Sequence, residues 1–133
     1  MDDLTLQVCT TDGVAFEGKI ISVTLRTVVG DICILNHHAN YMTAIDSGRV
    51  IIKTESGERK AACSGGFISV TDNVVRIIAT TFEFADEIDV ERAKKAKEKA
   101  EMWITNSKSD DELRLAEMKL KRALTRLNVS ENK

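Results

Sequence analysis

Hydrophobic and polar residues alternate along the first two-thirds of the chain. In residues 4–8 and 21–25 every second side chain is apolar, which is the period of a strand with one buried face. Turns rich in glycine, aspartate and asparagine separate such runs at intervals of about 8–17 residues. This pattern predicts many short antiparallel strands that close on one core, as a sandwich or flattened barrel.

After residue 86 the period becomes that of helices. Apolar residues recur three or four positions apart in two segments, one beginning at Asp89 and the other at Ser109. The segment Ser109–Glu112 fits the S-x-x-E capping box. The short connection, residues 105–108, predicts that the two helices form an antiparallel hairpin.

The class predicted from these periods is α+β, with an N-terminal antiparallel β-sandwich followed by a C-terminal antiparallel two-helix hairpin. We place the sandwich domain at residues 1–86 and the hairpin at residues 87–133, because all seven glycines precede residue 67. The first helix offers mostly alanines (Ala93, Ala96, Ala100), and a buried methyl contributes far less than a buried leucine. We therefore expect the hairpin to dock weakly.

Composition and charge further limit the kinds of protein to which the chain can belong. The 133 residues are 43% hydrophobic and 30% charged, as in soluble globular proteins, and no apolar run approaches the ~20 residues of a membrane span. Net charge is −4 over residues 1–86 and +2 over residues 87–133. Three widely spaced cysteines argue against a disulfide framework or a zinc ribbon and favour a reducing compartment. We expect them to be small core residues (Cys9, Cys33, Cys63).

Catalytic motifs are absent from the sequence, so we predict neither catalytic residues nor a metal site. There is no G-x-S-x-G elbow, no H-E-x-x-H and no G-x-x-x-x-G-K-[ST] loop. His37 and His38 are adjacent and would point to opposite faces of a strand. Gly65-Gly66 predicts a tight turn into a strand rather than a phosphate cradle, which would need a helix after it.

Arginines on the predicted hairpin suggest an anion site. Arg122 and Arg126 are four apart on one helix face, and Arg92 lies in the first turn of the other helix. Antiparallel packing would bring them together near Asp89 and Glu83, an arrangement that suits a polyphosphate. The alternative is an ordinary solvated basic face. Acidic residues interleaved on the second helix argue against a third alternative, a nucleic-acid adaptor.

Several ordered motifs resemble one family along essentially the whole chain. They are residues 30–39 (GDICILNHHA), 43–45 (TAI), 64–67 (SGGF) and 88–93 (IDVERA), with Gly48. In this combination they resemble the ε subunits of bacterial F-type ATP synthases, called δ in mitochondria. The resemblance implies a sandwich of about ten strands and a non-catalytic, central-stalk role in a proton-translocating enzyme at the cytoplasmic face of the cell membrane.

The same resemblance implies partners and a regulatory ligand. The sandwich of such proteins binds the γ subunit and rests on the c-ring, with Asp31 and His38 at the positions of those contacts. Their hairpin can extend into the head, contact the α and β subunits and block ATP hydrolysis. No cofactor is required, but some relatives bind ATP through an I/L-D-x-x-R-A motif and supporting residues. The matching positions are Ile88, Asp89, Arg92 and Ala93, with Glu83, Arg122 and Arg126 in support.

One loop departs from the family pattern. Members usually read G-x-L-G-I-x-P-G-H-A-P, whereas this chain has Cys33, Asn36, His37 and Asn40 in place of two glycines and two prolines. The loop thereby loses both its φ freedom and its rigid prolines. Lys99 stands where some ATP-binding relatives place another basic residue. Besides a rotor subunit, a free-standing ATP-sensing module remains an alternative.

Overall fold

The computed structural model describes residues 3–131, in which ten strands precede two helices. The strands are β1 (Thr5–Thr10), β2 (Gly13–Lys19), β3 (Ser22–Thr27), β4 (Gly30–Leu35), β5 (Tyr41–Ala44), β6 (Gly48–Thr54), β7 (Gly57–Ser64), β8 (Phe67–Thr71), β9 (Val74–Ile78) and β10 (Thr81–Phe84). A 3₁₀ turn, Ala85–Glu87, leads to α1 (Val90–Asn106) and α2 (Asp110–Glu131). The predicted class is confirmed.

The strands form two five-stranded sheets. One has the order β2-β1-β9-β8-β5 and the other β10-β7-β6-β3-β4. Every pair of neighbours is antiparallel except β1 and β9, which run in the same direction. The alternation of side chains did not reveal this parallel pair. It is possible because about sixty residues, not a hairpin turn, connect the two strands.

The core lies between the sheets and is built by the alternation seen in the sequence. Leu4, Leu6 and Val8 are fully buried, as are the inward residues of β3, β8 and β9. Cys63 belongs to this core, but Cys9 is half-buried and Cys33 is exposed. The expectation of a core position is therefore wrong for Cys33, whose side chain alternates outward between Ile32 and the buried Ile34.

The turn at Gly65-Gly66 leads from β7 into β8. Both residues have positive φ, 70° and 98° respectively. A Cβ at Gly66 would lie only 1.8 Å from the carbonyl oxygen of Ile78 on the neighbouring strand β9. Only glycine fits this close backbone approach.

Both helices begin with a side-chain cap. The carboxylate of Asp89 accepts from the backbone N–H of Arg92 (3.1 Å), and the hydroxyl of Ser109 accepts from that of Glu112 (3.2 Å). The Glu112 carboxylate reaches back to the N–H of Lys108, one residue before the capping-box position. The fully buried seam consists of alanines spaced by seven in each helix, as antiparallel packing requires (Ala93, Ala100, Ala116, Ala123).

Candidate functional site

The hairpin docks on the sandwich through an apolar contact near the end of α2. Val129 is completely buried and packs in a small cluster with Ala62 of β7, Ala85 and Ile88. This cluster is separate from the core between the sheets. Burial of the Val129 side chain contributes about 1.5–3 kcal/mol to docking.

Polar side chains add to this contact. The ammonium of Lys121 lies 2.7 and 2.6 Å from the two carboxylate oxygens of Asp46. Arg122 donates from Nε to the Ser64 hydroxyl (3.1 Å), which is itself hydrogen-bonded to Ser47 (3.0 Å). The hydrogen bond from Lys121 holds the pKa of Asp46 below its usual range, so the carboxylate stays charged at neutral pH. These bonds fix the direction in which α2 crosses the sandwich.

The residues of the I-D-x-x-R-A motif surround the start of α1. Ile88 is buried in the docking cluster, Asp89 caps the helix and Ala93 is buried in the seam. Arg92 is exposed, and its guanidinium forms neither a hydrogen bond nor an ion pair within residues 3–131. The motif therefore has clear local roles, and Arg92 keeps its charge available.

The supporting residues lie along the contact between α2 and the sandwich. Arg126 donates from Nε to a carboxylate oxygen of Glu83 on β10 at 2.7 Å, and both side chains are largely buried (25% and 36% exposed). Arg122 points to Ser64 on β7, the strand paired with β10. The structure thus brings Arg126 to Glu83 on β10 and Arg122 to Ser64 on the adjacent strand β7. It joins Arg92 to none of them by a direct contact.

Asp31 lies on the exposed edge strand β4, beside the turn from β3. Its carboxylate accepts from Arg26, at 2.9 Å from Nε and 3.4 Å from Nη2. This hydrogen bond holds the pKa of Asp31 below its ordinary value. Asp31 is therefore a charged surface group that already has one cationic partner, in a pair that solvent screens.

The altered loop after β4 is braced by the turn between β8 and β9. The side-chain oxygen of Asn73 accepts from the backbone N–H of His37 (2.8 Å), and its amide donates to Asn36. Asn40 in turn accepts from the backbone N–H of Asp72 (3.2 Å). His37 has a φ of 64°, so a histidine here takes up the left-handed conformation that favours glycine. Hydrogen bonds to asparagine side chains thus restrain this loop in the absence of proline.

His38 lies in this loop and not on a strand. Its Nδ1–H donates to the carbonyl oxygen of Ala39 (2.7 Å), and its ring meets that of Tyr41 edge to face at 6.0 Å. In the part of the chain described, no three His, Cys, Asp or Glu side chains are grouped to hold a metal ion. The loop presents His38 as a surface residue with a fixed orientation.

An apolar row crosses the outer face of the first sheet. Ala44 on β5 pairs with Phe67 on β8, which pairs with Ile78 on β9, and Ile78 is level with the half-buried Cys9 on β1. Phe67 is 41% exposed and Ile78 47%. Met42, two residues before Ala44, adds a side chain that is 68% exposed. Contiguous exposed apolar side chains of this kind mark interaction surfaces.

The hairpin carries a basic aromatic site near its tip. Lys99 lies 4.8 Å and Lys119 4.3 Å from the centre of the Trp103 ring, one from each helix. Both distances fit cation–π interactions, and the one from Lys119 on α2 to Trp103 on α1 joins the two helices. Lys99 therefore faces Trp103.

Two family models together match nearly the whole chain. The beta-sandwich domain of the ATP synthase delta/epsilon chain matches residues 3–85, and its long alpha-helix domain matches residues 86–131. The chain belongs to the ATP synthase delta/epsilon chain family. This finding confirms the resemblance drawn from the motifs.

Relatives within the delta/epsilon family match end to end. An ATP synthase epsilon chain of Exiguobacterium is 39% identical over all of this chain and 99% of its own length. One from Ligilactobacillus salivarius is 38% identical over 97% of this chain and 96% of its own. One from Staphylococcus aureus is 37% identical over the full length of both.

Solved structures agree with the fold of this delta/epsilon chain. A chain of the Euglena gracilis mitochondrial ATP synthase, in an assembly of OSCP, F1 and c-ring, superposes with a TM-score of 0.82. It is 24% identical, and the match covers 98% of this chain and 82% of that one. A chain from the central stalk and c-ring of the Tetrahymena thermophila enzyme gives 0.66 at 15% identity, with 95% of each chain covered.

Sequence reasoning did not find the residues that dock the hairpin on the sandwich. Asp46 and Lys121 are seventy-five positions apart, and each looks like an ordinary surface charge. The bracing role of Asn73 was equally hidden, although the Asp72-Asn73 turn signal was visible. A better signal for Asn73 would have been the loss of glycine and proline from the neighbouring loop, since that loss calls for another restraint.

Proposed function

We propose that this delta/epsilon chain is the non-catalytic epsilon subunit of a proton-translocating F-type ATP synthase, part of the central stalk that turns with the c-ring. Its sandwich would bind the γ subunit and rest on the c-ring. Its hairpin would regulate ATP hydrolysis. The observation that carries the proposal is the exposed apolar row on the first sheet, since a free-standing monomer gains nothing from leaving Phe67, Ile78 and Met42 open to water.

The row supports binding of a large, apolar protein surface such as that of γ. The braced loop with His38 leads into β5 beside the turn between β8 and β9, at the opposite end of these strands from the pair Phe67–Ile78, so the loop and the row are two separate surfaces. We assign Asp31, on the opposite sheet's edge strand, to the polar loops of the c-ring. Neither α1 nor α2 is long and apolar enough to cross a bilayer. From its membership of the delta/epsilon family we propose a peripheral position, at the cytoplasmic face of the bacterial cell membrane.

The hairpin suits a regulatory element because its contacts with the sandwich are partly exposed ion pairs and hydrogen bonds around one small apolar cluster. The cluster contains Val129, and the polar contacts include those of Lys121, Arg122 and Arg126. Undocking and extension toward the α and β subunits would then cost little. We propose that ATP stabilises the docked form as a regulatory ligand, through Asp89, Arg92 and Arg126 with the supporting residues named above.

Substituting Ile78 by lysine tests the partner surface. We expect I78K to lose co-purification with γ, because a charged side chain would be buried in an apolar interface without a partner. The isolated variant should melt like the wild type, since Ile78 is 47% exposed. The measurement is the amount of γ recovered with the tagged chain when both are co-expressed.

Leu115→Lys provides the matched control. It introduces the same charge at a side chain that is 54% exposed on α2, away from the row. We expect L115K to retain γ. Wild-type recovery of γ by I78K would contradict the assignment of the row to that partner.

Substituting Arg126 by alanine tests the nucleotide site. A charge-assisted hydrogen bond to phosphate contributes about 1.5–3 kcal/mol, so R126A should weaken ATP binding by about tenfold or more. The measurement is calorimetric titration of the isolated chain with ATP. Arg114→Ala is the control, because Arg114 lies on the same helix and pairs only loosely with Asp111 (3.9 Å). Equal ATP affinities for R126A and the wild type would remove Arg126 from the site.

A further inference from the structure

A groove separates α2 from the outer face of the second sheet. Its volume is about 590 Å³, and both the sandwich and the hairpin line it. Four charged side chains of alternating sign run beside it from the helix to the edge strand: Lys121, Asp46, Arg26 and Asp31. The groove therefore connects the helix that docks with the surface proposed to meet the c-ring.

Two short ion pairs form the ends of this row. Lys121 binds both carboxylate oxygens of Asp46, and Arg26 binds Asp31 from Nε at 2.9 Å. The first pair joins the hairpin to the sandwich. The second lies wholly within the sandwich, across the turn between β3 and β4.

Arg26 and Asp46 link the two pairs. The backbone N–H of Asp46 donates to the carbonyl oxygen of Arg26 (3.3 Å), so the two residues lie side by side. The pKa of Arg26 is raised, mainly by its hydrogen bond to Asp31 and in a smaller part by the charge of Asp46. The Arg26 side chain also lies against Gly48, where a Cβ would come within 2.7 Å of its own Cβ. Two carboxylates, those of Asp31 and Asp46, thus interact electrostatically with Arg26, and the one of Asp31 is hydrogen-bonded to it.

Asp46 bonds Lys121 and lies next to Arg26, so it is the carboxylate for which the two cations can compete. While Asp31 holds Arg26, Asp46 is left to Lys121, and α2 stays attached. If Asp31 is neutralised or bound by another cation, Arg26 loses its partner and competes with Lys121 for Asp46. Arginine competes well for a carboxylate because its guanidinium donates two parallel hydrogen bonds.

We propose that a cationic side chain of a partner, on binding Asp31, releases Arg26 toward Asp46 and so loosens the docked hairpin. The inference rests on the proposed function in one respect, namely that Asp31 faces a partner. It adds a route by which binding of a partner at Asp31 changes how firmly the helical hairpin is docked. The competition itself is a property of the isolated chain and is tested there.

The test measures how often α2 leaves the sandwich. Ala62→Cys places a thiol beneath Val129, where a maleimide reaches it only after undocking. Cys9 and Cys33 are replaced by serine, whereas Cys63 stays, because burial raises the pKa of its thiol to about 12 and keeps it unreactive. The rate of labelling at position 62, read by peptide mass spectrometry, then follows the undocked population.

Four variants in this background give the decisive comparison. Asp31→Asn should raise the labelling rate about two- to fivefold, the range that an exposed ion pair controls. Arg26→Gln should not raise it, and D31N should have no further effect in the R26Q background. Asp3→Asn is the matched control, because Asp3 pairs with Lys19 at 3.1 Å away from the groove. It should leave the rate unchanged.

Two outcomes would overturn the coupling. One is an unchanged rate in D31N, and the other is an equal increase in the presence and absence of Arg26. All these side chains are exposed, and matching melting curves exclude a general loss of the fold. The proposed function is tested separately by cross-linking from Asp31→Cys to the c-ring in the assembled enzyme. Failure of that cross-link with the labelling as expected would remove the ring contact and keep the coupling.

Discussion

Ending the chain after Glu87 should raise ATP hydrolysis by the assembled enzyme several-fold, while assembly and ATP synthesis continue. The expectation follows from the separation of the two apolar clusters. The core between the sheets consists of eighteen buried residues, all of them between Leu4 and Phe84. Truncation removes Ile88 and Val129 from the docking cluster, whose other members are Ala62 and Ala85, and frees the polar partners of α2 to bond with water. The sandwich therefore keeps its stability and its partner surfaces.

The measurement is the ratio of hydrolysis to synthesis in membranes that carry either the full or the shortened chain. Val129→Asp in the full-length chain is the informative companion. It buries a charge in the docking cluster and releases the hairpin without removing it. If the extended hairpin is the inhibitory form, V129D should lower hydrolysis where truncation raises it. Loss of assembly on truncation would instead make the hairpin a structural element.

Substituting Gly66 by alanine should destabilise the sandwich by about 3 kcal/mol or more. The new Cβ would lie 1.8 Å from the carbonyl oxygen of Ile78, so β8 and β9 would have to separate. It would also hold an L-residue at a φ of 98°. Both effects act on the strands that carry the apolar row, so binding of γ should weaken together with stability.

Urea unfolding of the isolated chain measures this effect. Gly13→Ala is the control for backbone strain alone, because Gly13 has a φ of 114° but nothing within 4 Å of its would-be Cβ. We expect G13A to cost about 1–2 kcal/mol. Similar free energies of unfolding for G66A and G13A would show that the close approach to Ile78 is relieved at little cost.

Local patterns in the sequence were sufficient to predict most of the fold. The alternation in residues 4–8 was sufficient to place Leu4, Leu6 and Val8 in the core. The caps at Asp89 and Ser109 fixed where each helix begins, since a capping side chain satisfies the first free N–H groups of the helix. Features that depend on neighbours within four residues were therefore accessible from the sequence.

Features that depend on residues far apart in the sequence could not be predicted from it. Cys33 sits among apolar residues in the sequence, but it lies on the outward side of an edge strand. The parallel pairing of β1 with β9 depends on how the sheet closes and leaves no mark on either strand alone. For the candidate site, helix spacing predicted that Arg122 and Arg126 share a face. The antiparallel arrangement also predicted the approach to Glu83, which Arg126 makes, but not the hydrogen bond from Arg122 to Ser64.

The alanine seam between the helices also determines how temperature acts on the hairpin. Its fully buried side chains are methyl groups and the leucines of α2 beside them are only partly buried, so parting the helices would hydrate less hydrocarbon than opening a seam of buried leucines. The accompanying change in heat capacity would be smaller, because that quantity scales with the apolar area exposed. The enthalpy of opening would then change less on warming. A hairpin built in this way keeps its set point across a wide range of growth temperatures better than one closed by leucines.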